Sequence, residues 1–317
     1  MDIAGLVRGA AAGEGLGNAF LANIKATDGI FHLVRAFQDQ NIVHVENSVD
    51  AIRDVEIIDL ELRLKDADQI SGLTTKLSTK STSRSKDTAT LSTNVEFLNH
   101  IHSLLTTTTT GQGRALALEP WTTDEARALA QLRLLSLKPV VHLVNQSEQD
   151  YIACLNGGGE PPYMTRLREH AGEQGHVVGY SGAMEGLLAD METAEEREEV
   201  IEDLKKSFGV AVVRSAVPRI VWAGYEAVGL NHYFTFGKQE VRAWTVRKGT
   251  KGPQAAAVIH SDFEKAFVAA EVMRLEDLQA YGSEDAVRAA GKYVTRGKDA
   301  VIGDGDVVNF KIGKRKA

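Results

Sequence analysis

Pro139-Val140-Val141-His142-Leu143-Val144-Asn145-Gln146-Ser147-Glu148 sets an apolar, largely β-branched run directly against four polar residues. A run without polar alternation is the pattern of a strand buried on both faces, as in a parallel sheet covered by helices. The abrupt polar end marks the carboxyl end of that strand, where open α/β sheets place their ligands. Working outward, His176–Tyr180 is a second short strand, ending at Ser181-Gly182-Ala183, and Glu195–Phe208 is an acidic helix. Upstream, Ile30–Val34 fits a buried strand and Val55–Lys65 an amphipathic helix. Strands alternating with helices predict a doubly wound α/β domain.

Two stretches depart from that pattern. Nineteen of the 40 residues from Ser71 to Thr110 are Ser or Thr, which buries little apolar surface and predicts a weakly structured or partly helical excursion. Trp121–Leu137 recovers a helical pattern, with Thr123 as its cap. From His232 onward short strands appear, at Glu240–Val246 and Gly303–Lys311, with Asp304-Gly305-Asp306 as a hairpin-like turn. This terminal stretch predicts a separate small α+β domain.

Composition narrows the function classes. The single cysteine, Cys154, can form no internal disulfide and no thiol cluster, which fits a reducing compartment. No apolar run approaches the ~18–20 residues that span a bilayer, and Asp2, Arg8 and Glu14 argue against a signal peptide. The expectation is a cytoplasmic protein with no membrane and no DNA partner. Net charge is −7, but residues 232–317 carry 15 Lys/Arg against 11 Asp/Glu, hence +4, leaving 21 against 32, hence −11, for the rest. A basic module on an acidic body suits an anionic partner such as RNA or a ribosomal surface. The plainer reading is a solvated surface with a basic tail.

Three short motifs fall at strand ends in the order that nucleotide hydrolases use. Asp2-Ile3-Ala4-Gly5 has the D-x-x-G form that places an Asp near Mg²⁺ and a Gly amide beside the terminal phosphate. Asn145-Gln146-Ser147-Glu148 stands where GTPases carry N-K-x-D, whose Asp accepts two donors from guanine. Glu148 carries its carboxylate one methylene farther, so a relaxed or adenine-favouring base choice is physically reasonable. Ser181-Gly182-Ala183 supplies a small-residue loop whose amides reach a base. Each is weak singly; together, in order, they reinforce one another.

Residues 2–69, beginning DIAGLVRGAAAGEGLGNAFL, together with LKPVVHLVNQSEQDY and YSGAMEG, resemble the Obg-like ATPase (YchF) family, in its eukaryotic form. VRAWTVRKGTKGPQAAAVIHSDFEKAFVAAEV and AAGKYVTRGKDAVIGDGDVVNF are similar to that family's C-terminal TGS domain, a ubiquitin-like β-grasp module. The resemblance implies a P-loop NTPase domain in two parts, 1–69 and 139–231, a helical insert at 70–138, and a TGS domain at 232–317. It further implies Mg²⁺-dependent hydrolysis of ATP, with GTP tolerated, and association with the ribosome through its large subunit or rRNA. On that basis Asp2 and Gly5 form the catalytic switch motif, with Asp2 reaching Mg²⁺ through water. Asn145, Gln146, Glu148, Ser181, Gly182 and Ala183 line the nucleotide, and Arg242, Arg247, Lys248 and Lys251 meet RNA. Leu6 follows the D-x-x-G where many GTPases carry a water-orienting Gln, so hydrolysis needs another group or a potassium-like cation, and is slow unless stimulated.

No G-x-x-x-x-G-K-(S/T) occurs in the 317 residues; Gly13–Gly17 is Gly-rich but has no following Lys. Without that loop the amide cradle, the phosphate Lys and a Mg²⁺ ligand are missing. The expectation is a fragment of a longer product whose catalytic loop lies upstream. The contrasting reading is a non-hydrolysing adaptor that engages ribosome or RNA through the TGS domain.

The nine histidines show no metal-ligand spacing, so His142 reads as a strand residue. Phe263 and Phe267, four apart, read as core. Trp244 and Tyr293 suit either core packing or base stacking.

Overall fold

The computed structural model describes residues 24–80, 94–107, 115–172, 175–237 and 240–313. The chain divides into two compact units, Met1–Ala227 and Val228–Ala317.

In the first unit β1 (Ile30–Arg35), β2 (Val140–Asn145) and β3 (His176–Tyr180) form a parallel sheet in the order β1-β2-β3. Between β1 and β2 run helices α1 (Ala51–Lys80), α2 (Val95–Thr107), α3 (Ala115–Leu118) and α4 (Thr123–Leu132). α5 (Glu148–Leu155) and α6 (Pro162–Ala171) lead to β3. α7 (Gly182–Ala189), α8 (Ala194–Phe208) and α9 (Val217–Ala227) follow it. One sheet face packs Val34, Val144 and Val177 against Val55 of α1 and Leu167 of α6. The other packs Val141, Leu143 and Val178 against Ala223 of α9. β2 is therefore covered on both faces, which is why it reads as a continuous apolar run.

β1 is not the buried strand that its composition predicts. Among the described strands it is an edge, with Phe31 49% and Leu33 65% exposed. Its alternate residue Val34 is buried on the α1 side, while on the other face the half-exposed Phe31 ring lies against Gly224 of α9 and Leu33 is exposed. Apolarity alone did not distinguish these two cases.

The Ser/Thr-rich stretch is helical over 71–80 and 95–107; residues 81–93 and 108–114 lie outside the described residues. Ile70 of α1 meets Leu98, Ile101 and Leu105 of α2 and Leu129 of α4 in one apolar cluster, joined by Leu73 and Leu77. Outward hydroxyls donate to carbonyls one turn back, as Thr74 to Ile70, Thr75 to Ser71 and Thr106 to His102, so they need no other partner. The cap of α4 is Thr122 and not Thr123. Its hydroxyl accepts from the Glu125 amide while the Glu125 carboxylate accepts from the Thr122 amide, a reciprocal arrangement that needs a spacing of three.

The second unit is a five-stranded sheet in the order β5-β4-β8-β6-β7, from β4 (Leu230–Phe236), β5 (Val241–Arg247), β6 (Phe267–Arg274), β7 (Val294–Arg296) and β8 (Asp306–Ile312). β4 and β8 run parallel while the other pairs are antiparallel, which is the β-grasp arrangement. α10 (Gly252–Ile259), α11 (Ser261–Ala266), α12 (Leu275–Tyr281) and α13 (Glu284–Ala289) complete it. Phe267 is buried in the core with Tyr233 and Val308, and Phe263 and Trp244 pack against it. Tyr293 packs beside Met273 and Val307. Asp304-Gly305-Asp306 does turn, with Gly305 at φ 71°, but it makes no hairpin. The strand it opens pairs with β4 and β6, whereas β7 pairs with β6, because β8 is inserted between strands distant in sequence. Among the described residues no helix is long and apolar enough to cross a membrane.

Candidate functional site

The carboxyl ends of β2 and β3 lie side by side, Asn145 in register with Tyr180. Beyond them the two loops are tied together. The Gln146 amide donates to the Tyr180 carbonyl at 2.8 Å, and the Gly182 amide donates to Asn145 Oδ1 at 2.8 Å. A Cβ on Gly182 would stand 2.9 Å from Asn145 Nδ2, so only glycine lets the loops approach this closely. The Asn145 carbonyl accepts from the Ala36 amide at 2.8 Å, joining the loop after β1 to the same strand end.

Each loop starts a helix. Ser147 caps α5, its hydroxyl accepting from the Asp150 amide at 3.1 Å, and Glu148 is the first helical residue, half-buried. Ser181 caps α7 and is fully buried, while Ala183 is exposed in its first turn. Two helix N-termini thus point amides and positive dipole ends at one region, a setting that suits anionic or hydrogen-bond-accepting groups. Behind the loops, Tyr151 and Ile152 of α5 pack on Met184 and Leu188 of α7. Glu185 accepts from Ser215 Oγ at 2.7 Å and from the Ala216 amide at 2.6 Å. The loops are therefore held from below by packed, hydrogen-bonded groups.

Gln146 turns inward. Its side chain is buried, Nε2 donates to Tyr163 Oη at 3.0 Å, and Oε1 fills the space a Cβ on Gly179 would need, 2.5 Å away. With its amide also engaged, Gln146 braces the site from behind. Tyr163, whose phenol burial pushes up from the ordinary range, was not singled out from sequence. Its spacing of 17 residues from Gln146 carries no periodic signal.

Asp2 and Gly5 lie outside the described residues, as do Leu6 and the glycines at 13–17. Among the described residues no group of three His, Cys, Asp or Glu side chains is disposed to hold a metal ion.

A second grouping also went unread in the sequence. His32 of β1, His142 of β2 and His170 of α6 stand in a row, with ring centroids 5.5 and 6.3 Å apart. His170 Nε2 is 2.7 Å from Asp59 Oδ2 of α1. Burial holds the His32 imidazole below its ordinary range, opposed by the carboxylates of Asp59 and Asp54 and reinforced by His170.

In the second unit the four predicted cations lie on β5 and the turn after it. Arg242 Nε is 3.0 Å from Glu240 Oε2, both more than half exposed, and its guanidinium lies 5.9 Å from the Trp244 ring centroid. Arg247 donates to the Val228 carbonyl at 3.3 Å. The Lys248 amide donates to the Gly229 carbonyl at 2.8 Å. Lys251 Nζ lies 2.8 Å from Asp299, whose carboxyl it holds below the ordinary range.

The YchF-GTPase_C family model, described as a protein of unknown function (DUF933), matches residues 230–313. Obg-like ATPase 1 of Homo sapiens is 44% identical over 315 residues, covering 98% of this chain and 75% of the human protein. The protein of the same name from Schizosaccharomyces pombe is 42% identical over 320 residues, covering 99% and 77%. A solved structure described as that of the Schizosaccharomyces pombe YchF GTPase superposes with a TM-score of 0.77 at 39% identity, covering 97% of this chain and 78% of that one.

Proposed function

The chain belongs to the Obg-like ATPase (YchF) family of P-loop NTPases, and from that premise we propose that it binds ATP or GTP and works as a Mg²⁺-dependent, ribosome-associated hydrolase. The observation that carries the reading is the bond from the Gly182 amide to Asn145 Oδ1, which joins the loops after β2 and β3 into one edge-reading site. Asn145 and Glu148 would face the base, with the Ser181–Ala183 loop closing on it. Gln146 and Tyr163 would hold the floor rigid. The base edge is read by hydrogen bonds on a braced loop, so little ordering is needed at binding.

Hydrolysis is assigned by family membership and by the Asp2–Gly5 motif. Asp2 would help hold a Mg²⁺ ion through water, and the ion would supply charge neutralisation to the phosphates. Arg242, Arg247, Lys248 and Lys251 would give the second unit its contact with rRNA of the large subunit, which makes binding fall steeply with salt. The division at 1–69, 70–138, 139–231 and 232–317 is part of the same proposal, as is a cytoplasmic location.

Titration of fluorescent ATP and GTP analogues, followed by phosphate release with and without ribosomes, tests the reading. Nucleotide binding that is lost in Asn145→Ala supports it. Ribosome binding that ignores nucleotide, in a protein binding neither analogue, would make it a non-hydrolysing adaptor.

A further inference from the structure

We propose that His32, His142 and His170, standing in a row flanked by Asp59, form a proton-operated latch beneath the candidate site, closed while the row holds one proton and opened by a second. The row lies on the α1 and α6 side of the sheet. His32 and His142 are in register on β1 and β2, and Val34 and Val144 follow them in register on the same face. Next on that face come Gln146 and Ala36, whose amide donates to the Asn145 carbonyl. The strands thus carry the row, an apolar layer and the floor of the site in successive tiers.

α6 repeats that order. Tyr163, Leu167 and His170 share one face of the helix. Tyr163 accepts from Gln146, Leu167 packs with Val34 and Val144, and His170 meets Asp59 and His142. A displacement of α6 at the row therefore reaches Gln146 through about two turns of one helix.

Charge limits what the row can hold. Asp59 Oδ2 lies 2.7 Å from His170 Nε2, and Asp54 is engaged by His44 and Arg53, both at 2.9 Å. Asp59 and Asp54 are the carboxylates whose charge acts on His32, and His170 opposes them. α1 also buries Glu61, Arg63 and Asp66 farther along, while Arg166, Arg168 and Glu169 of α6 are exposed. β3 contributes Val177, in register with His142. One proton, on His170, is matched by Asp59. A second, on His32 or His142, meets carboxylates already committed and stands beside a cation within the packed face, which is costly. The row accommodates it by parting and admitting water. Burial holds the His32 imidazole below its ordinary 6.5, so an opened row takes up the proton first as pH falls. The closed latch is then fully favoured above that value and is lost progressively below it. Opening withdraws Tyr163 from Gln146 and loosens the floor. Only the consequence for nucleotide binding rests on the function proposed above.

The test uses the full chain at pH 7.5 and 5.5, with two measurements: amide exchange corrected for its intrinsic pH dependence, and affinity for a fluorescent ATP analogue. At the lower pH, exchange at Val34, Ala36 and Gln146 should rise by about fivefold or more relative to Val272 and Val308 of the β-grasp unit, and affinity should fall by a similar factor. His32→Phe should bind as the wild type does at pH 7.5 and lose most of the acid response in both measurements. His170→Gln keeps a neutral donor toward Asp59 and leaves that carboxylate free to match a proton on the row. It should flatten the response likewise, and it carries the test if the phenylalanine variant fails to fold. Exchange that rises equally in both units overturns the proposal, as does a full acid response in the folded variants. Affinity that ignores pH while exchange rises overturns the link to the site. The expected exchange pattern in a protein that binds no analogue would overturn the nucleotide reading and support the latch.

Discussion

Asn145 and Gly182 show how one residue pair sets the candidate site. Neither is distinctive in a sequence, yet the 2.8 Å bond between them fixes the spacing of two loops. Gly182→Ala forces a Cβ to within 2.9 Å of Asn145 Nδ2. The expected outcome is a nucleotide affinity lower by about tenfold, from the roughly 1.4 kcal/mol that one displaced hydrogen bond commands. Thermal melting should change little, since Gly182 is only half-buried. Titration with a fluorescent nucleotide, beside a melt, checks both. His32 gives a prediction in pH. Its folded pKa is lowered by burial, so the unfolded chain takes up the proton first as pH falls. Stability is then fully present above the ordinary histidine value of 6.5 and is lost below it. Chemical denaturation at pH 7.5 and 5.5 should show that loss in the wild type, and His32→Phe should reduce it. Equal losses in both would show that His32 does not contribute.

At the scale of elements, period and composition located most strands and helices but not their environment. β2 and β3 were legible because parallel strands buried on both faces need continuous apolar runs. β1 carries the same kind of run and is an edge among the described strands, with two exposed apolar residues; composition does not encode which neighbour a strand has. The Ser/Thr-rich stretch, for which weak structure or partial helix was the expectation, is helical over 71–80 and 95–107, because few but well-spaced residues, Ile70 and Ile101 among them, build the cluster while hydroxyls bond back along the helix. Asp66 supplies the long-range tie. It is fully buried, and its carboxylate accepts from the Leu135 amide, the Ser136 amide and the Ser136 hydroxyl, at 2.8, 2.8 and 2.7 Å. Asp66→Ala strands two amides and should cost about 2–4 kcal/mol, read as a lower denaturation midpoint of the first unit. A change within about 0.5 kcal/mol, ordinary for a surface site, would mean the tie is not needed.

The whole molecule divides into two units, and its stability should divide likewise. In the β-grasp unit Asp306 is fully buried. It accepts from the Gly303 amide at 2.8 Å and lies between Arg274 and Arg296 at 3.6 and 3.5 Å. Both arginines are partly exposed and can rehydrate, so Asp306→Ala should cost roughly 2–3 kcal/mol. Scanning calorimetry should show that loss in one transition only, with nucleotide affinity unchanged. Loss of nucleotide binding in the same variant would show that the units are energetically coupled.

By itself the sequence determined the class of fold and the family, because hydrophobic period, strand-end glycines and long local motifs are properties of neighbouring residues. It also marked Asn145, Ser181 and Gly182 as strand-end residues, and their loops do come together. Only the tertiary structure decided that Gln146 faces inward to Tyr163, that β1 and β5 are edges among the described strands, and that three histidines from separate elements stand in a row with Asp59. Those outcomes depend on which elements pack beside one another. The contacts span from 17 residues, between Gln146 and Tyr163, to 111, between Asp59 and His170, and no local period carries information across such separations.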